Sequence, residues 1–228
     1  MTYNYDEFSP SQYDFESADG PDVGDTAPDF TLSTSDGDQR NLLDFDGDFL
    51  VLELGSITCP LFQSRRPRME TLTTEFDNVD SVVLYVREAH PGVLIPTHAT
   101  YEDKTACATR LKEEDGETRT VLVDTIDGDA HKAYGSMPNA VYIIDQQGRV
   151  RFKSPWNNAR ATHKALAALT QGRAPDVKSY FKPALPTVTH RTLKNGGEGS
   201  GKDFYKGLPS LIPTNLRYNL RVLLGRDR

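Results

Sequence analysis

Cysteine is scarce in this 228-residue chain. Cys59 and Cys107 are its only two, too few for a disulfide framework. No run approaches the roughly 18 to 20 apolar residues that cross a bilayer. The opening Met1-Thr2-Tyr3-Asn4-Tyr5-Asp6-Glu7 has neither the basic start nor the apolar stretch of a secretory signal. These absences predict a cytoplasmic protein. The five histidines show no ligand spacing with Cys or Asp, so no metal site is expected. No helix-turn-helix, zinc or single-strand-binding signature accompanies the basic residues, so no nucleic-acid partner is expected either. With 37% hydrophobic residues the chain can bury one core of ordinary size, which predicts one domain plus extensions.

Charge divides the chain. Residues 1–48 carry thirteen acidic side chains against Arg40 alone, whereas residues 171–228 carry eleven Lys or Arg against Asp176, Glu198, Asp203 and Asp227. Residues 1–20, acidic and Tyr-rich with little to bury, read as a disordered, solvating arm; residues 21–172 read as the folded domain, and 173–228 as a basic tail. Within the tail, Thr187 to Lys206 is rich in Gly, Lys and Thr and reads as a flexible linker. Beyond it Leu216, Leu220, Leu223 and Leu224 share one helical face beside Arg217 and Arg221, with Gly225 as a stop, predicting a short amphipathic helix. That helix would dock on the domain, on a second subunit in a homodimer, or peripherally on an acidic membrane.

Short apolar or β-branched runs at Phe49–Leu54, Ser81–Val86, Thr120–Val123 and Val141–Asp145 suit buried strands. Helical patterns fall between them, at Leu61–Phe76, Tyr101–Glu113 and Asp129–Tyr134. Gln146-Gln147-Gly148-Arg149 turns a final hairpin into Val150–Lys153, and Ala159–Thr170 closes the domain as a helix ended by Gly172. The alternation predicts an α/β layered domain with helices flanking a central mixed sheet.

Cys59 follows the first of these strands and precedes a helix. A thiol at a helix N-terminus meets exposed peptide N–H groups that favour the thiolate, and its pKa can fall from about 8.5 into the range of roughly 3.5 to 7.5. A buried, inert sulfur at a strand end is the alternative. Tyr85, Glu88 and His90 lie at the carboxyl end of the neighbouring strand, the end at which α/β sheets place ligands. His90 has the side chain suited to proton delivery near neutral pH, unless it is only a hydrogen-bonded structural residue. His98, on a loop after Pro96, is either a second functional histidine or solvent-facing. Cys107 sits mid-helix among small residues, either buried and inert or able to pair with Cys59 after local unwinding.

Three ordered motifs carry a resemblance. Gly55-Ser56-Ile57-Thr58-Cys59-Pro60-Leu61-Phe62 resembles the active-site segment of the iodothyronine deiodinases, with Cys59 where that family has selenocysteine. Val83-Leu84-Tyr85-Val86-Arg87-Glu88-Ala89-His90-Pro91 resembles its strand ending in Glu-Ala-His, and Ile95-Pro96-Thr97-His98 with Glu102-Asp103 its next motif. The likeness runs from about residue 48 to 170, through Pro138-Asn139-Ala140-Val141 and Pro155-Trp156-Asn157. Upstream, Gly24 to Leu32 is similar to the opening strand of peroxiredoxins and related redoxins. The resemblance implies a thioredoxin-like fold and reductive dehalogenation of an iodinated aromatic by the Cys59 thiolate. His90 would then supply a proton, Glu88 would orient His90, Ser56 and Tyr85 would bond the sulfur or substrate, and His98 would relay a proton or grip a phenol or carboxylate. Thr58 and Pro138 would shape the site, Pro138 holding the place at which the thioredoxin superfamily commonly has a cis-proline. Cys107 is the candidate resolving thiol. No bound cofactor is implied; a thiol reductant such as thioredoxin or glutathione would be the co-substrate.

Two departures are evident: sulfur replaces selenium, and only Pro91 to Thr97 separate His90 from His98, where the animal enzymes hold a longer insert. Two other functions remain open. One is a peroxiredoxin-like thiol peroxidase acting on peroxide, with Ser56 three residues before the Cys and an Arg from among Arg65, Arg66 and Arg68. The other is a catalytically idle redoxin scaffold whose tails recruit partners.

Overall fold

The structure is a computed structural model that describes residues 3–15 and 19–225. A seven-stranded mixed sheet forms its centre, built from β1 (Thr31–Thr34), β2 (Gln39–Asn41), β3 (Phe49–Gly55), β4 (Val79–Tyr85), β5 (Thr120–Val123), β6 (Val141–Asp145) and β7 (Val150–Ser154). The strand order is β2-β1-β5-β4-β3-β6-β7. β3, β4 and β5 are parallel, and the outer strands are antiparallel to their neighbours. The helices are α1 (Pro60–Glu70), α2 (Leu72–Glu75), α3 (Tyr101–Glu113), α4 (Asp129–Ala133), α5 (Ala159–Leu169), α6 (Pro186–Gly196) and α7 (Ser200–Leu223). The expected helix over 61–76 is therefore two helices that meet at Thr71.

Alternation along the strands sorts side chains onto two faces. Val51, Val83, Tyr85, Val141 and Ile143 meet residues of α1, α3 and α5. Leu50, Leu52, Leu54, Val82, Leu84, Tyr142 and Ile144 meet α4, but also Tyr5, Tyr13 and Phe15 before the domain and Tyr218 and Val222 after it.

Three expectations about the extensions are thereby corrected. Residues 3–15 are not a solvated arm, because their aromatic rings complete a core that the sheet alone leaves open; residues 1, 2 and 16–18 of that arm, like 226–228 of the tail, lie outside the described residues. The expected linker over 187–206 is instead α6 and the start of α7, separated by a short glycine-bearing turn. That turn is bonded in place, with the peptide N–H of Val93 donating to Glu198 O at 2.9 Å and that of Leu94 to Gly196 O at 3.0 Å. Gly92 makes this close approach feasible, since a Cβ there would stand 2.5 Å from Gly196 O. Last, the amphipathic helix is 24 residues long and buries Asn215, Tyr218 and Val222. Leu216, Leu220, Leu223 and Leu224 stay exposed, so the leucine stripe is not the face that docks on the domain. Among the described residues no helix is long and apolar enough to cross a membrane.

Candidate active site

β3 and β4 run parallel and end together, with Gly55 opposite Tyr85, so the segments 56–59 and 86–90 leave the sheet side by side. Phe62 of α1 packs onto Gly55, where a Cβ would lie 2.3 Å from the Phe62 ring. Glycine thus lets α1 descend onto the strand end. Cys59 becomes the N-cap of α1 with Pro60 at its first position. The Cys59 N–H donates to Ser56 O at 3.1 Å.

The Glu88 carboxylate fastens the two segments together. Oε2 accepts from Thr58 N at 3.1 Å and from Thr58 Oγ1 at 2.5 Å, while Oε1 accepts from the Tyr85 hydroxyl and lies 3.1 Å from His98 Nε2. Thr58 Oγ1 in turn accepts from His90 N (3.2 Å), Ser56 Oγ from Ala89 N (3.2 Å), and Tyr85 Oη from Ile57 N (3.2 Å). Burial acts to raise the Glu88 pKa, but the bonds from His98, Thr58 and Tyr85 outweigh it and hold the carboxyl below its usual range.

These contacts divide the expected site residues into two groups. Cys59, His90 and Pro138 face a cavity of about 360 Å³. Ser56, Thr58, Tyr85, Glu88 and His98 lie in the framework behind it, where they bond to one another and to peptide groups. Four roles expected from the sequence change accordingly. Glu88 holds the His98 ring and leaves His90 Nδ1 without a partner; His98 does not line the cavity; Tyr85 and Ser56 bond to Ile57 N and Ala89 N instead of sulfur. Cys107 is absent from the cavity wall, and both cysteines are free thiols. Pro138 lines the cavity on a trans peptide, with no cis bond among the described residues.

Glu88, His98 and Cys107 do place three metal-capable donor atoms within 4.8 Å of one another. Spacing along the sequence could not reveal this cluster, because α3 supplies one member and loops the other two. Both Glu88 oxygens already accept from protein donors, so the hydrogen-bond framework accounts for the grouping.

Cys59 behaves differently from the expectation of a lowered pKa. Burial pushes its thiol up to about 11, against the opposing pull of the Phe62 and Leu61 N–H groups and the Arg65 guanidinium. The helix terminus is present, but lost hydration prevails. Of Arg65, Arg66 and Arg68, Arg65 is the one whose charge acts on the sulfur, its guanidinium held by Asn157 O at 3.2 Å and by Lys182 O. Arg66 turns to Asp115 and Arg68 to Glu75. His90 is likewise neutral, its pKa driven down to about 3 by burial despite the opposing Glu88 charge. Its ring lies between Phe8 (centroids 4.3 Å apart) and Phe204 (5.2 Å).

The residues that dry this cavity come from outside the central domain. Phe8, Tyr13 and Phe15 wall it from the arm; Phe181, Phe204, Leu208 and Leu211 wall it from the tail. Arg87 pins the arm, its guanidinium 5.1, 5.0 and 4.7 Å from the ring centres of Tyr3, Tyr5 and Tyr13 and donating to Tyr3 O at 2.6 Å and Gln12 O at 3.1 Å. The Tyr5 hydroxyl donates to Ala89 O at 3.0 Å, and Ser200 Oγ donates to His90 O at 2.8 Å from the tail side. Tyrosine enrichment in an acidic arm was the one sequence signal for this.

A second missed group lies under the site. Glu53, fully buried in β3, accepts from Arg119 Nη1 (2.8 Å), Asn139 Nδ2 (3.0 Å) and Asn157 Nδ2 (2.6 Å), and Arg119 also bonds Glu117. Its signal was an acidic residue inside an otherwise apolar strand.

A thiol and a histidine on one apolar cavity, held by a Thr-Glu-His framework at the ends of parallel strands, can be compared with known proteins. The family model for iodothyronine deiodinase matches residues 10–162. The chain belongs to the iodothyronine deiodinase family. Thyroxine 5-deiodinase of sheep (Ovis aries) is 32% identical over 143 residues, covering 57% of this chain and 48% of the sheep protein. Type I iodothyronine deiodinase of Xenopus laevis is 31% identical over 148 residues, covering 59% and 58%. The chain thus spans about half the length of the curated relatives it matches. Two solved structures share its thioredoxin-like fold. Peroxidoxin BcpB of Mycobacterium tuberculosis has a TM-score of 0.50 at 20% identity, covering 66% of this chain and 97% of its own. A thiol:disulfide interchange protein of the DsbE type from Chlorobium tepidum has a TM-score of 0.51 at 21% identity, covering 66% and 96%.

Proposed function

We propose that this deiodinase-family chain is a thiol-dependent oxidoreductase that removes iodine reductively from an aromatic ring through Cys59. The observation carrying this reading is that Cys59 and His90 share an apolar, aromatic-walled cavity on the family's scaffold. Sulfur attacks iodine along the carbon–iodine axis; the S–I bond forms as the C–I bond breaks, and its electron pair passes to the ring carbon, which takes a proton. With the thiol protonated at rest and His90 neutral, one proton serves both ends. It leaves sulfur, passes through the imidazole and reaches carbon, so that Cys–SH and Ar–I become Cys–S–I and Ar–H.

An external thiol then releases iodide and a proton and forms a mixed disulfide, and a second thiol restores Cys59. Cys107 lies away from the cavity wall, which favours this external route over internal resolution. Cytoplasmic thioredoxin or glutathione has the required chemistry. Glu88, Thr58, Ser56 and Tyr85 act in this scheme by holding the segments that carry Cys59 and His90.

The Arg65 charge acting on the sulfur is the observation favouring a thiol peroxidase, since a cation so placed would stabilise a thiolate attacking peroxide. The apolar lining argues against so polar a substrate. Single-turnover iodide release from an iodinated phenol, run beside hydrogen peroxide consumption, separates the two. We expect iodide from the wild type, none from Cys59→Ser, and a loss of at least about 10² for His90→Ala. Rapid peroxide consumption with no iodide from any iodinated phenol would replace deiodination by peroxide reduction.

A further inference from the structure

Helix α7 presents two different faces. Asn215, Tyr218 and Val222 are buried against the domain, and the helix is held there by the Tyr218 hydroxyl donating to Ser179 O at 3.2 Å and by Lys178 Nζ donating to Leu223 O at 2.8 Å. The outer face carries apolar side chains that the domain leaves in water. Tyr205, Pro209, Ile212, Leu216, Leu220 and Leu223 follow at spacings of four, three, four, four and three residues, one continuous helical row, and all are exposed. Of the ten large apolar residues more than half exposed among the described residues, six belong to this helix and its C-cap Leu224. Apolar exposure is thus gathered on one element, as at a docking surface, and not scattered singly.

This row reaches the cavity. Ile212 and Leu216, 56% and 64% exposed, also line the cavity that holds Cys59, as do Pro183 and Ala184 from the segment before α6. Whatever covers the outer face of α7 therefore adjoins the cavity mouth. Charge selects the occupant. Lys202, Lys206 and Arg217, spaced by four and eleven residues, form a second exposed row alongside the first. Asp203 is the one acidic residue of the helix, and it is buried with Oδ1 3.6 Å from Lys206 Nζ. A second copy of the chain packed through the same face would set cations against cations, with no exposed carboxylate on the helix to pair them. An anionic lipid surface answers the cationic row, while its acyl boundary takes the apolar one.

We propose that α7 seats the protein on the surface of an anionic bilayer with its apolar row among the headgroups and upper acyl chains, and that the Cys59 cavity then opens onto the lipid. Apolar molecules dissolved in the membrane would reach the thiol without crossing water. This placement does not depend on which reaction Cys59 performs.

The test is co-sedimentation of the full-length protein with vesicles of phosphatidylcholine alone or with about one-third phosphatidylglycerol. We expect binding to the mixed vesicles, binding at least about tenfold weaker to phosphatidylcholine alone, and loss of binding in the double variant Leu220→Asp, Leu223→Asp. Both leucines are more than half exposed and neither lines the cavity, so an unchanged melting temperature is expected of that variant. Arg217→Glu, a charge reversal in the exposed cationic row, should weaken binding at least about fivefold by itself. Cys59 is then labelled by iodoacetamide and benzyl bromide in competition. On the mixed vesicles the ratio of benzylated to carbamidomethylated Cys59 should be several-fold higher in the wild type than in the double variant, because benzyl bromide concentrates in lipid and iodoacetamide stays in water. No binding to either vesicle, equal binding to both, binding unchanged by the substitutions, or equal labelling ratios would each overturn the proposal. A dimer dispersed by the double substitution, without vesicle binding, would give the face to a second copy instead. Iodide release is measured without lipid, so its failure would leave this placement standing.

Discussion

Removing residues 197–228 takes Phe204, Leu208 and Leu211 from the cavity and should return water to Cys59. Burial holds that thiol at about 11 against an ordinary value of 9.0. Rehydration that cancels this net shift lowers the pKa by about two units, or about 2.7 kcal/mol in favour of the thiolate. At pH 7 the thiolate fraction rises by about 10², while the lower basicity costs about eightfold in nucleophilicity at a Brønsted slope near 0.45. The net gain in alkylation rate is about tenfold before any gain from access. The assay is the pH dependence of iodoacetamide labelling at each cysteine, read by peptide mass spectrometry. Cys107, buried in α3 with its thiol pushed up to about 12, is the internal reference for an intact domain. We expect the Cys59 midpoint to fall from about 11 towards 9 while Cys107 stays protected. A midpoint unmoved near 11 with Cys107 protected would refute the view that the tail dries the site.

Arg87→Ala should free residues 3–15, seen as faster proteolysis within them and faster Cys59 alkylation; an arm as resistant as in the wild type would show that Arg87 does not pin it. Arg119→Met leaves the Glu53 and Glu117 carboxylates buried without their guanidinium and should cost about 3 to 5 kcal/mol in urea unfolding, so a loss below about 1 would contradict that assignment. Stability should also fall in acid. Burial holds His90 and His131 near 3, whereas the unfolded chain protonates them near 6.5, so the unfolded state binds more protons and stability drains away as pH falls from 6.5 towards 3. Each contributes about 3 kcal/mol of this loss by pH 4, and a melting temperature flat over that interval would contradict it.

The strand runs and the three motifs were legible in the sequence because they rest on local rules. Alternation with period two sets which face Leu52 and Val51 occupy, and a thiol followed by Pro60 sets an N-cap, whatever else the chain does. The family followed from the same stretch, residues 48 to 170, where ordered motifs sit at the ends of adjacent strands. Local rules could not reach the protonation of Cys59: the helix N-terminus read from the sequence is present, yet its effect is smaller than the desolvation imposed by side chains more than a hundred residues away. Nor could they reach the extensions. An acidic Tyr-rich arm and a Gly-rich basic tail look solvated when weighed alone, and are buried only because Arg87 gathers three tyrosine rings and the α6–α7 turn bonds to residues 93–95. The sequence by itself determined the scaffold and the place of Cys59 at a helix N-terminus, since both depend on neighbours close in the chain. Tertiary structure alone decided the dryness, charge and walls of the cavity, since those depend on which distant surfaces exclude water from the same few atoms.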